Sequence, residues 1–359
     1  MLTNYQAAMD KLQAIIAKGT DGAAKVIEHV INNQPQDSLA KGGGLTFTQN
    51  DNKLVVGWND REGLKQHSIH RHALGQMATT IDMPMKFVDS LVDQKSEWSR
   101  DLLAHNLNTI YHERHAKKQN LIRSVNGEVR GFLSDSYRRL DSRPIIEAFA
   151  TEVKNKGAVP YAGVVTDTKI AIQAIMPQVF NPFEGEVLAY GISLENSDFG
   201  NGALSVRAYL LRIWCDNMAI TEESMRQIHL GKRLDESTVY SAKTYELDSR
   251  TTVSALRDVM RTQLDARSLE QRVAQVRESA AKGVTADQAK AQLRKLLGKG
   301  EAEKAAEAFE SNDVLNLPEG NTTWRLSNAI SWIANAKDVA PERKLELGRI
   351  AGEVLAKAA

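Results

Sequence analysis

Three histidines within six residues, His67, His70 and His72 in HSIHRH, are the first side chains whose spacing could hold a metal ion. On a helix His67 and His70 would share a face while His72 would point elsewhere. No HExxH, no His-x-Glu with a downstream cysteine pair and no aspartate cluster accompanies them. They read as polar residues leading into a helix, and no metal site is expected. Cys215 ends an apolar run in RIWCDNMAI with no protease-like signature around it, and reads as a core residue. The glycine runs at 42–44 and 200–202 lie beside strand patterns, and neither GxxxxGK[ST] nor GxGxxG occurs. Glu184, Glu186 and Glu195 show no paired arrangement. With no catalytic motif found, the chain reads as non-enzymatic and without a cofactor.

Segregated charge is the chemistry that remains. RGFLSDSYRRLDSRP (130–144) carries Arg130, Arg138, Arg139 and Arg143 around Phe132 and Tyr137, with Arg123 just upstream. From Tyr111 to Pro144 eight basic side chains face four acidic ones, in a chain whose formal net charge is +1. A β-ribbon alternating arginine and aromatic residues can follow a phosphodiester backbone, because guanidinium forks bind phosphate oxygens and rings stack on bases. The expected nucleic-acid-binding residues are Arg123, Arg130, Tyr137, Arg138 and Arg139, with Lys117, Lys118 and Arg207 as outer contacts. Arg226, Lys232 and Arg233 extend the basic character further along. The bland alternative is that exposed strands often carry Arg and Tyr, and that Phe132 and Tyr137 face the core.

Several elements must position these residues. Residues 4–32 repeat apolar positions at helical spacing, as one helix or as two divided at Gly19 to Gly22. Residues 32–44 read as a linker. Hairpins are expected at 45–58, at 120–140 with Asn126-Gly127 at the turn, at 160–177 turning at Asp167-Thr168, and at 187–215. Helices are expected at 70–83, 85–94 and 96–116, the last with Trp98, Leu102, Leu103, Leu107 and Ile110 on one apolar face. Another starts at Pro144 and ends at Gly157. A long helix spans 256–283 and shorter ones follow, the first opened by a Thr285/Gln288 capping box. Strands arriving as hairpins argue an α+β fold: an antiparallel, hairpin-rich central sheet with a helical N-terminal arm and a helical C-terminal region. The expected division is 1–40 for the arm and linker, 41–250 for the core and 251–359 for the C-terminal helices.

At 359 residues, 42% of them hydrophobic, the chain can bury one large core or two modest ones. Its single cysteine excludes an internal disulfide and fits a reducing compartment. No apolar run reaches the roughly 18 to 20 residues of a membrane span, and the N-terminal stretch has charges where a signal peptide is apolar. A cytoplasmic location is expected.

Three stretches carry a family resemblance. FLSDSYRRLD (132–141), NSDFGNGALSVRAYLLRIWCDNMAI (196–220) and NTTWRLSNAISWIANAK (321–337) together resemble a phage- and plasmid-borne protein family known mainly as a domain of unknown function. Asp216-Asn217-Met218 departs from the Asn-Gly of that pattern. The resemblance implies a mobile-element protein in a bacterial cytoplasm. By fold-level analogy it points toward single-strand annealing recombinases, which act as rings. The expected function is single-stranded DNA binding, with strand annealing as an extension, and the expected state is a homo-oligomer. The alternative is a non-enzymatic assembly or host-interaction protein, using the helices at 4–32 and 256–283 as its surfaces.

Overall fold

A computed structural model of the chain describes residues 2–51, 53–60, 63–94, 96–215, 217–227, 241–311, 314, 317–336 and 338–357. The N-terminal helix α1 (Leu2–Asn32) leads into β1 (Gln36–Lys41), a 3-10 turn, β2 (Thr46–Asn50), β3 (Lys53–Asp60) and β4 (Gly63–Ile69). Helices α2 (Arg71–Thr80), α3 (Met85–Asp93) and α4 (Glu97–Arg114) precede β5 (Gln119–Val125), β6 (Glu128–Ser134) and α5 (Ser142–Asn155). Next come β7 (Val159–Val165), β8 (Ile170–Phe180), β9 (Leu188–Asn196), β10 (Leu204–Arg212) and β11 (Asn217–Gln227). The chain closes with α6 (Ala242–Gln263), α7 (Ala266–Ala281), α8 (Ala286–Leu296), α9 (Lys299–Glu310), α10 (Thr323–Ile333) and α11 (Pro341–Ala356). The fold is α+β.

The first sheet runs β1-β5-β6-β4-β3-β2. Its parallel pair, β4 with β6, needs a crossover, and α2, α3 and α4 supply it while covering one face. Leu74, Met77, Leu103, Leu107 and Tyr111 pack there on Phe47, Val56, Ile122 and Phe132. The edge strand β2 does not present a bare backbone. Asn108 of α4 imitates a neighbouring strand: its Oδ1 accepts from Phe47 N at 2.8 Å and its Nδ2 donates to Phe47 O at 2.8 Å. The sheet curls until Ser38 Oγ of β1 lies 3.5 Å from Asp60 Oδ2 of β3.

The second sheet is an antiparallel meander, β7 to β11. Both of its faces are covered. Ile172, Leu194, Val206 and Leu210 point toward α5, α6 and α10, and Ile175, Tyr209 and Leu211 toward Leu345 of α11 and the N-terminal half of α1. This explains why LAYGISLEN and LSVRAYLLR are almost uninterruptedly buried rather than alternating.

Helix α1 is continuous through Gly19 and Gly22. A Cβ on Gly19 would lie 1.7 Å from Tyr161 O, and one on Gly163 would lie 2.4 Å from Gly22 O. The glycines let the helix press against β7, so that Leu12 buries on one side of the sheet and Val26 on the other. Each glycine costs about 1 kcal/mol relative to alanine in a helix. Each fully buried Leu or Val contributes about 1.5–3 kcal/mol, so the close packing wins.

Several expectations are corrected. The stretch read as a linker contains β1, paired with β5 from Gln36↔Ser124 to Lys41↔Gln119. The helix expected at 256–283 breaks at Leu264, where Asp265 accepts from Arg267 N and caps α7. Trp98 and Leu102 are 58% and 38% exposed, because the buried face of α4 runs through Ser99, Leu103, Leu107 and Tyr111. The apolar faces of the stretches 4–32 and 256–283, expected to serve as interaction surfaces, are taken up by the chain's own cores, Val26, Leu256, Met260 and Val276 in one and Leu12 in another. The hairpin at Asn126-Gly127 (φ 50° and 78°) and the Thr285/Gln288 capping box form as expected.

Candidate nucleic-acid interface

The basic ribbon does not present an outward row of guanidinium groups. Arg123, on β5, is 1% exposed. Its Nε donates to Asp37 Oδ1 at 2.7 Å, Nη2 to Asp141 Oδ1 at 2.6 Å and Nη1 to Asp198 O at 2.8 Å. Burial alone would lower its pKa, but Asp141, Asp37 and Asp198 more than offset that and raise it. Arg138 forks onto both oxygens of Asp248 at 2.7 and 2.5 Å. Arg139 stands 2.7 Å from Asp37 Oδ2 and 4.9 Å from the centre of the Tyr245 ring. Arg130 pairs with Glu128 at 3.0 Å, and Arg143 with Glu147 at 3.1 Å. Tyr137 is buried, with its hydroxyl 3.4 Å from Ser197 O and its pKa pushed up chiefly by desolvation. A buried ring cannot stack on a base, and Arg123 and Arg138 already give most of their N–H groups to partners within the chain.

The remaining expected contacts are dispersed. Lys117 and Lys118 are exposed between α4 and β5, at the opposite end of the ribbon from Arg130. Arg207 belongs to the second sheet, where its Nε donates to Ser205 Oγ at 3.2 Å. Lys232 and Arg233 lie outside the described residues. The histidines are not brought together either. His67 sits in β4 against Trp58, His70 caps α2, and His72 makes a 3.0 Å hydrogen bond with Phe199 O. Burial lowers the pKa of both His67 and His72. Among the described residues no group of three or more metal-ligating side chains converges.

The conspicuous stretches of sequence instead build joints. Asp198, in the β9–β10 loop, accepts from Ser142 N and Ser142 Oγ at 2.8 Å each, so a loop of the second sheet caps α5. Burial pushes the pKa of Asp198 up to about 6, against the pull of Arg123. Asn196 Nδ2 donates to Leu140 O at 2.9 Å. A second joint centres on Glu186, 2% exposed, which accepts from Arg212 Nε at 2.6 Å and Trp324 Nε1 at 3.0 Å. Arg212 Nη1 lies 3.4 Å from Cys215 Sγ, and Asn335 Nδ2 donates to Cys215 O at 2.9 Å. Cys215 is thus half-buried in a turn rather than in a core.

Cationic side chains do gather elsewhere. A cleft of about 1130 Å³ separates α2 and β6 from the β7–β8 and β9–β10 turns, and carries Arg71, Gln76, Thr79, Ser134, Asn201 and Arg226 among its walls. It continues, through Thr166, Gly202 and Arg226, into a cavity of about 270 Å³ that includes Lys169, Arg207 and Arg349. Arg71 pairs with Asp89, whereas no ion pair ties Lys169 or Arg226 to a carboxylate among the described residues. Arg226 stands in a basic stretch that the sequence marks. Lys169 and Arg349 carry no local signal, because a hairpin turn and the last helix meet only through the topology.

No family model, curated protein or solved structure matches the chain. Among the described residues no helix is long and apolar enough to cross a membrane.

Proposed function

We propose that this protein binds single-stranded nucleic acid in the cleft between its two sheets, not on the arginine ribbon. The observation that carries the reading is the convergence of Lys169 and Arg226 with Arg71, Arg207 and Arg349 along one continuous depression. Asp89, Asp167, Glu195 and Glu342 oppose them among the described residues, and Lys169 and Arg226 make no ion pair there. Cations left unpaired along a depression suit a polyanion. Asn201, Thr79 and Ser134 supply polar groups for base edges and sugars. With the aromatic rings of the ribbon buried, phosphate contact rather than stacking supplies the affinity, and binding weakens with salt. The mobile-element setting and strand annealing belong to the same proposal and come from the sequence resemblance. Fluorescence anisotropy with single- and double-stranded oligonucleotides at two salt concentrations tests it. A salt-sensitive preference for the single strand is expected, and no binding at low salt contradicts it.

A second reading, an assembly or host-interaction protein, draws on Phe87, Trp98 and Leu102. These are large apolar side chains 40%, 58% and 38% exposed on the consecutive helices α3 and α4. A defined oligomer by light scattering, without oligonucleotide affinity, would favour it.

A further inference from the structure

A separate cavity, of about 210 Å³, lies where α11 and the C-terminal end of α10 meet the second sheet on β7, β8, β10 and β11. Tyr161, Val164, Leu211, Met218 and Leu345 give it apolar walls. Among the described residues no carboxylate lines it. A cavity of about 150 Å³ holds benzene, so this one has room for a single ring with a small group at each end. The Tyr161 ring and the Met218 thioether favour an aromatic body.

Two polar side chains remain available there. Gln173 of β8 is 6% exposed. Its Nε2 donates to Met218 Sδ at 3.2 Å, and a thioether is a weak acceptor. Its Oε1 accepts no hydrogen bond among the described residues and is not sealed from solvent, so it opens onto the cavity. An acceptor held this deep gains from a donor. Lys344 of α11, half-buried, makes no ion pair or hydrogen bond among the described residues. The other polar groups are engaged: Ser331 Oγ donates to Ser327 O at 3.2 Å, and Asn335 Nδ2 to Cys215 O at 2.9 Å. The deep end therefore calls for a donor and the rim for an anion.

We infer that this cavity binds a small aromatic acid bearing a hydroxyl remote from its carboxylate, the hydroxyl donating to Gln173 Oε1 and the carboxylate resting on Lys344. The inference is independent of the cleft reading. Para-hydroxybenzoate, benzoate and phenol are titrated against the full chain by isothermal calorimetry. The hydroxy acid is expected to bind roughly tenfold tighter than either comparator. Gln173→Leu should erase its advantage over benzoate, and Lys344→Met its advantage over phenol, with thermal unfolding as the check on folding. In the parent chain labelled at its methionine methyl groups, the acid should shift the Met218 signal, assigned with Met218→Leu. This measurement needs no change at Gln173. Equal affinity for the three compounds, or no binding of the hydroxy acid at millimolar concentration, overturns the inference. An unmoved Met218 signal, or advantages that survive in both variants, overturns the assignment to this cavity.

Discussion

Asp198 Oδ1 receives two hydrogen bonds from Ser142, one from its backbone N–H and one from its hydroxyl, both at 2.8 Å. A carboxylate 56 residues downstream thus does the work that the N-cap residue Asp141 leaves undone, since the Asp141 side chain makes no cap hydrogen bond. Asp141 is occupied by Arg123 instead. Burial raises the Asp198 pKa from 3.8 to about 6, so between those values the folded chain holds a proton that the unfolded chain has released. Stability then falls as pH rises across that window. Asp198→Asn keeps the acceptor oxygen and removes the titration. Urea unfolding should find the two proteins alike near pH 4. Above pH 6 the variant should be ahead by on the order of 2–3 kcal/mol. A gap that does not change with pH would contradict this assignment.

Glu152 titrates in the opposite sense. The fork of Arg261 onto its two oxygens, at 3.0 and 2.8 Å, joins α5 to α6 and lowers the Glu152 pKa. Its stabilisation is present above the ordinary carboxylate range and is lost as pH falls through the depressed value. Glu152→Gln should cost about 1–2 kcal/mol at pH 7 and less at acid pH, measured by the same titration.

Arg123 is a structural joint. Arg123→Met leaves Asp37 and Asp141 without their shared cation and should destabilise by about 3–5 kcal/mol. Lys117→Ala and Lys118→Ala, at exposed positions, should stay within about 0.5 kcal/mol of the parent in chemical denaturation. Comparable losses for all three would mean that Arg123 carries no special weight.

Much of the scaffold was legible in the sequence, and the reasons are local. Asn-Gly at 126–127, the Thr285/Gln288 box and the hairpin at 187–215 encode their geometry within a few residues. What failed depends on distant partners. QDSLAK has the look of a linker because its polar Asp37 serves Arg123 and Arg139, 86 and more residues away, rather than a turn. Arginines at 123, 138 and 139 look like a binding surface until Asp37, Asp141 and Asp248 are brought to them. Residue type gives basic character, but only topology says whether a carboxylate is already waiting. The cleft was hidden for the same reason, since Lys169 and Arg349 are 180 residues apart.

The α1–β7 contact gives a packing test. Gly19→Ala places a methyl group 1.7 Å from Tyr161 O, a backbone atom that cannot swing aside. The helix must lift from the strand, so the gain in helix propensity is outweighed. A net loss of roughly 1–3 kcal/mol is expected in thermal or chemical unfolding. A stabilised variant would show that α1 does not lie against β7 at Gly19.

The salt dependence of single-strand affinity, in the parent and in the Lys169→Ala/Arg226→Ala double variant, tests the cleft most directly. Removing two phosphate contacts should flatten the slope of log affinity against log salt by about 1.4, with the Lys117→Ala/Lys118→Ala pair keeping the parental slope. No salt-dependent binding by the parent, or an unchanged slope in the double variant, would contradict the account.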